Sequence, residues 1–119
     1  MDKNIKVMLA DDSSFMRKVL KGILMKEGFE NFVEAENGKE TVEKFHSEKP
    51  GLILLDIIMP EMDGIAVLKK IGKEANVIVV SAVGQEALIE EAKANNAKGY
   101  VIKPFENSQV VAELYKVLG

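Results

Sequence analysis

The run Leu52-Ile53-Leu54-Leu55 leads without a break into Asp56, and it constrains the chain more than any other stretch. Pro50-Gly51 precedes it and Met59-Pro60 follows it. A short apolar run between such punctuators reads as a strand covered on both faces, the kind found in parallel sheets sandwiched by helices. Asp56 then falls at the carboxyl end of that strand, the edge at which open α/β sheets bind ligands. A second wholly apolar run, Val77-Ile78-Val79-Val80, ends in the same way at Ser81.

The remaining segments alternate around these two. Ile5 to Ala10 reads as a first strand ending at Asp11-Asp12-Ser13-Ser14, where Ser13 or Ser14 can cap a helix running to about Glu27. Phe15, Val19 and Ile23 with Met16, Leu20 and Leu24 give that helix a wide apolar face, and Arg17, Lys18, Lys21 and Lys26 fall largely opposite. Gly28 stops it. Phe32 to Ala35 is a short strand. Asn37-Gly38 turns into a helix over about 39–47 that buries Val42 and Phe45 and is broken by Lys49-Pro50-Gly51. After the central strand a loop through Glu61-Met62-Asp63-Gly64 leads to a helix over about 65–73, burying Ile65, Leu68 and Ile71. A helix over about 85–95 is only weakly amphipathic, with Leu88 and Ile89 its sole large apolar residues. Tyr100-Val101-Ile102 is a fifth strand, ending at Lys103-Pro104. The last helix, about 108–118, turns Val111, Leu114 and Leu118 inward, with Val110 and Val117 alongside. Strand and helix alternate five times, so the chain predicts an α/β fold: a doubly wound (βα)5 parallel sheet with helices on both faces.

Composition narrows the function. The 119 residues suit one domain over 1–119 with one core. A net charge of -3 gives no general pull toward nucleic acid. Cysteine is absent, so disulfides and thiolate metal sites are excluded. Met1-Asp2-Lys3-Asn4 enters the first strand directly with no apolar signal segment, and no run reaches the ~20 residues of a membrane helix. These features fit a cytoplasmic protein.

Four strand ends carry polar groups: Asp11-Asp12, Asp56, Ser81 and Lys103. In a parallel sheet they share one edge. Taken singly, Asp11 or Asp12 reads as a helix cap, Ser81 as a turn residue and Lys103 as a solvated ammonium. Their convergence makes the set specific. Two carboxylates ~4 Å apart repel by about 4 kcal/mol at an effective dielectric of 20, so three of them call for a cation. An all-oxygen site with incomplete protein ligation suits Mg²⁺, or Mn²⁺. A carboxylate beside a metal and a lysine is a nucleophile toward phosphorus.

The chain resembles, along its whole length, the receiver domains of two-component response regulators, and most of all their single-domain chemotaxis members. The likeness is carried by Ala10-Asp11-Asp12-Ser13-Ser14-Phe15-Met16-Arg17-Lys18, by Asp56-Ile57-Ile58-Met59-Pro60-Glu61-Met62-Asp63-Gly64, by Ser81-Ala82-Val83-Gly84-Gln85 and by Gly99-Tyr100-Val101-Ile102-Lys103-Pro104-Phe105. The resemblance implies a flavodoxin-like sheet in the order 2-1-3-4-5, the arrangement of which chemotaxis receivers are themselves a standard example. It implies that Asp56 is the phosphoacceptor. Asp11, Asp12 and Asp56, with the carbonyl of Ile58, would hold the Mg²⁺. Ser81, Ala82 and Lys103 would bind the phosphoryl group, and Ser81 and Tyr100 would form a switch pair. The Lys103–Pro104 peptide would be cis.

Three positions depart from the family pattern. Gly51 replaces a common Asp. Asn95-Asn96 replaces a common Ala-Gly, and Asn tolerates the left-handed backbone that a helix end requires. Ile58 is apolar where the family is often polar, beside the phosphoryl group, which bears on the dephosphorylation rate.

The resemblance further implies a non-enzymatic, monomeric signalling protein. Its phosphodonor would be a CheA-like histidine kinase. Its target would be a flagellar switch protein or an archaeal-type motor adaptor, bound by the face around Glu86, Glu90, Glu91 and Tyr100; no nucleic acid or membrane is involved. The alternative is a phosphorelay carrier that hands its phosphoryl group to a histidine phosphotransfer protein. Other readings fit less well. His46 reads as a solvated helix residue. A flavodoxin's phosphate would be repelled by Asp11-Asp12, and a haloacid-type phosphatase needs an acid where Ile58 stands.

Overall fold

A computed structural model describes residues 1–119. Strands and helices alternate as β1 (Lys6–Ala10), α1 (Ser14–Lys26), β2 (Asn31–Ala35), α2 (Gly38–Glu48), β3 (Leu52–Asp56), α3 (Gly64–Ile71), β4 (Val77–Ala82), α4 (Glu86–Ala94), β5 (Gly99–Lys103) and α5 (Asn107–Leu118). The five strands form one parallel sheet in the order β2-β1-β3-β4-β5, as expected. The order reverses direction between β1 and β3, which puts the crevice of a doubly wound sheet at their carboxyl ends.

Alternation along each strand sends side chains to two cores. Met8, Ile53, Leu55, Val77 and Val79 face α2, α3 and α4, and Val7, Leu9, Leu52, Leu54, Ile78 and Val80 face α1 and α5. All residues of β3 are buried, Asp56 included. The register aligns Ala10 with Leu55 and Asp56 with Val80, so Asp11 and Asp56 emerge from the sheet at the same level. Ser81 pairs with Ile102 and Ala82 with Lys103, one and two residues farther out.

Local chemistry ends the helices where it should. Ser13, rather than Ser14, caps α1 by accepting from the Met16 amide. At its other end Gly28 takes φ 100, and the Gly28 and Phe29 amides donate to the carbonyls of Met25 and Leu24. This left-handed turn folds Phe29 back onto Leu24 in the core beneath α1. Asn96 adopts φ 77 just past α4, the conformation for which asparagine is suited.

Three expectations about packing are corrected. Phe15 is 72% exposed, because Met16, Leu20, Ile23 and Leu24 take the sheet-facing side and Phe15 lies off it in the first turn. Arg17 is buried, not solvated: its guanidinium finds acceptors inside the fold. In α5 the fully buried residues are Val110 and Leu114, and Val111 and Leu118 only flank them.

Candidate functional site

The expected carboxylates do converge. One oxygen from each of Asp11, Asp12 and Asp56 lies within 4.8 Å of the others. Asp11 and Asp56 are buried and Asp12 is exposed, so the cluster opens to solvent on one side. Asp11 Oδ1 accepts the Ser13 amide at 2.8 Å, while Asp11 Oδ2 is buried with no hydrogen-bond partner. A buried carboxylate oxygen left bare inside a triad of acids fits a hard divalent cation, which would supply the missing charge and the missing contact. This is an acidic cluster of the kind at which receiver domains bind Mg²⁺.

The electrostatics follow from burial. Removal from water pushes the Asp11 carboxyl up to about 6; the Ser13 amide and Lys103 oppose this, and the charges on Asp56 and Asp12 add to it. Burial likewise raises Asp56, against the pull of Lys103 and of the Ile58 amide. Lys103 Nζ stands 3.5 Å from Asp56 Oδ2, and the Ile58 amide donates to Asp56 Oδ1 at 3.2 Å. The two oxygens of Asp56 are therefore differently engaged. Directly behind them, Gly64 opens α3. A Cβ at that position would lie 2.7 Å from the Asp56 carbonyl oxygen and from Ile57 Cα, so only glycine lets the helix start this close to the Asp56 backbone. Asp63 caps α3 through the Ala66 amide.

The other half of the crevice is β4, β5 and α4. Ser81 is fully buried, and its hydroxyl has only a long contact of 3.5 Å to the Ala82 carbonyl. The Ala82 amide is already occupied: it donates to Gln85 Oε1 at 2.8 Å. Gln85 stands at the N-cap of α4 but turns back to Ala82 instead of capping the helix. Tyr100 is half-buried, with its amide donating to Glu113 Oε1 and the Lys93 ammonium 4.6 Å from its ring centroid. Glu86, Glu90 and Glu91 are exposed along α4, and Lys93 pairs with Glu90 at 3.5 Å. His46 is exposed on α2, away from this edge. Ile58 is 54% and Val83 68% exposed, the outward-facing apolar residues of the β3–α3 and β4–α4 loops. The Lys103–Pro104 peptide is cis.

Arg17, Gln85 and Lys93 carry contacts that pattern reading missed. Gln85 and Lys93 leave no periodic signal. Arg17 is masked by its neighbours, since a charge among lysines on a helix reads as surface.

Comparison with known proteins agrees with this geometry. Residues 7–115 match the response regulator receiver domain, and the chain belongs to that family. Within it, the chain is 47% identical to the chemotaxis protein CheY of Thermotoga maritima, over 94% of this chain and 96% of that one. It is 42% identical to CheY of Bacillus subtilis, over 95% and 97% respectively. Among solved structures it superposes with a TM-score of 0.88, at 36% identity, on a chain of the CheX-CheY-BeF3-Mg complex from Borrelia burgdorferi, covering 97% of this chain and 90% of that one. No helix is long and apolar enough to cross a membrane.

Proposed function

We propose that residues 1–119 act as a stand-alone chemotaxis response regulator whose phosphoacceptor is Asp56. The observation that carries this is the placement of Asp56 at the end of the buried β3, between the Lys103 ammonium at 3.5 Å and the acids Asp11 and Asp12. An Asp56 oxygen attacks the phosphorus of a phosphohistidine. The phosphorus–nitrogen bond breaks, its electron pair stays on the imidazole, and an acyl phosphate forms on Asp56. Asp11, Asp12, Asp56 and the Ile58 carbonyl would hold Mg²⁺, which when bound neutralises charge on the transferring oxygens. Lys103 turns from Asp56 to a phosphoryl oxygen, and the Ser81 hydroxyl and Ala82 amide donate to the others. Tyr100 then turns inward toward the space Ser81 leaves.

The donor in this reading is a cytoplasmic histidine kinase of the CheA type. The output face is α4, β5 and α5. Its acidic ridge of Glu86, Glu90 and Glu91 suits a target with a basic docking surface, whether a flagellar switch protein or an archaeal-type motor adaptor. The solved complex pairs CheY with CheX, which makes a CheX-like protein a further candidate partner here.

The test is labelling with phosphorylated kinase in the presence of Mg²⁺. The parent should take up hydroxylamine-sensitive label, and Asp56→Asn should take up none while keeping its fold. Full labelling of Asp56→Asn would overturn the assignment. Quantitative onward transfer to a histidine phosphotransfer protein would move the reading to a phosphorelay carrier.

A further inference from the structure

Arg17 is the least expected contact near the site. Its side chain is 8% exposed, yet it belongs to a helix whose other cations, Lys18, Lys21 and Lys26, lie toward solvent. Its guanidinium spans three groups. Nη1 donates to the Asp11 carbonyl at 2.5 Å, Nε donates to Glu34 Oε1 at 2.7 Å, and Nη2 lies 3.8 Å from Glu36 Oε1. The Asp11 amide meanwhile donates to the Ala35 carbonyl at 3.0 Å. The backbone of Asp11 is thus held on both sides, by the edge strand β2 through Ala35 and by α1 through Arg17. Its Oδ1 is held by Ser13, and Oδ2 alone is left bare.

We infer that Arg17 is a positioning residue for the cation site: it fixes the Asp11 backbone so that the one unpartnered carboxylate oxygen is presented to the metal. The inference rests on the Mg²⁺ reading given above and extends it to a residue outside the acidic triad. Two physical points favour positioning over a purely structural ion pair. First, Glu34 and Glu36 are both exposed, with side chains 47% and 70% accessible, and ion pairs open to water contribute little stability. Second, the arginine addresses the carbonyl of Asp11, not its carboxylate, so it orients the ligand without competing for the oxygen that a metal needs. A planar fork reaches the Asp11 carbonyl and Glu34 together; a lysine, a single point charge, cannot hold both.

The sign of the effect separates the explanations. Removing a cation from the neighbourhood of three carboxylates would, through charge alone, tighten Mg²⁺ binding. Loss of positioning weakens it, by about tenfold or more on the scale of other outer-sphere ligand supports. The experiment is a Mg²⁺ titration of unphosphorylated protein followed by amide NMR shifts, on the parent, Arg17→Lys, Arg17→Met and Glu34→Gln. Both Arg17 variants should bind Mg²⁺ at least about tenfold more weakly while retaining the parent's dispersed spectrum, and Glu34→Gln, which keeps an acceptor for Nε, should stay within about twofold. Arg17→Lys keeps the charge and serves if the methionine variant does not fold. Unchanged or tighter Mg²⁺ binding in folded Arg17→Lys overturns the inference while leaving the phosphoacceptor reading intact. A parent protein that binds no Mg²⁺ overturns both.

Discussion

Helices α3 and α4 lie on the same face of the sheet, yet five residues of α3 are buried, Gly64, Ile65, Val67, Leu68 and Ile71, against two of α4, Ile89 and Ala92. Their first turns differ in the same way. Asp63 caps α3 with its side chain, whereas Gln85 leaves α4 without a side-chain cap. The first helix starts against the backbone of Asp56, and the second follows Ser81 and Ala82. The half of the crevice that holds the acids is therefore clamped, and the half that carries the proposed switch is lightly held. A phosphorylation switch needs both: a fixed place for the chemistry and an element whose two positions differ by only a few kcal/mol.

The largest expected effect tests the clamp. Leu68→Ala, in a fully enclosed site, should cost about 3 to 4 kcal/mol in urea unfolding, and Ile89→Ala about 2, because α4 can settle into the space. Equal losses would mean that α4 is held as firmly as α3.

The acid side carries a second signature. Folding raises the Asp11 carboxyl from 3.8 to about 6, so between those values the native state binds the proton that the unfolded chain has released. The sign is unfavourable with rising pH: metal-free stability should fall by at most about 2 kcal/mol from pH 4 to pH 7 through this group, solvent screening reducing it further, and Asp56 slopes the same way. Asp11→Asn should flatten that part of the profile, and Mg²⁺ should offset the loss by binding the ionised native state. Urea unfolding across pH with chelator and with excess Mg²⁺ gives both curves; a parent profile as flat as that of Asp11→Asn would remove the buried acid from the account.

The smallest effect concerns the switch side. Lys93 over the Tyr100 ring should favour the present ring position by about 0.5 to 1 kcal/mol. Lys93→Met should then raise the fraction of inward Tyr100 in unphosphorylated protein, seen in ring NMR shifts or by crystallography. An unaltered ring population would show that Lys93 is only surface charge.

Much of this was legible in the sequence, for physical reasons that name its limits. The runs 52–55 and 77–80 are apolar on both faces because helices cover both faces, so the central strands and the acid that ends β3 announce themselves. Parallel pairing then brings Asp11, Asp12, Asp56 and Lys103 to one edge without further information. Periodicity failed where a polar group solves a three-dimensional problem. Arg17 is buried because the Asp11 carbonyl and Glu34 lie beneath α1, and neither is adjacent to it in the chain. Phe15 is exposed because the apolar stripe of α1 is centred on Met16, Leu20, Ile23 and Leu24, a rotation that counting by four does not resolve.

The bond between the Ala82 amide and Gln85 has a consequence for the cost of switching. That amide is one of the groups proposed to receive the phosphoryl oxygens, and it is satisfied beforehand by a carboxamide of its own chain. Arrival of the phosphoryl group is then an exchange of acceptors in which the number of hydrogen bonds at Ala82 is conserved. Gln85, displaced, stands at the N-cap of α4 with its side chain free to meet water or the bare amides of that helix end. An amide held in this way rests satisfied rather than waiting open, and the phosphoryl group wins it by being the better acceptor.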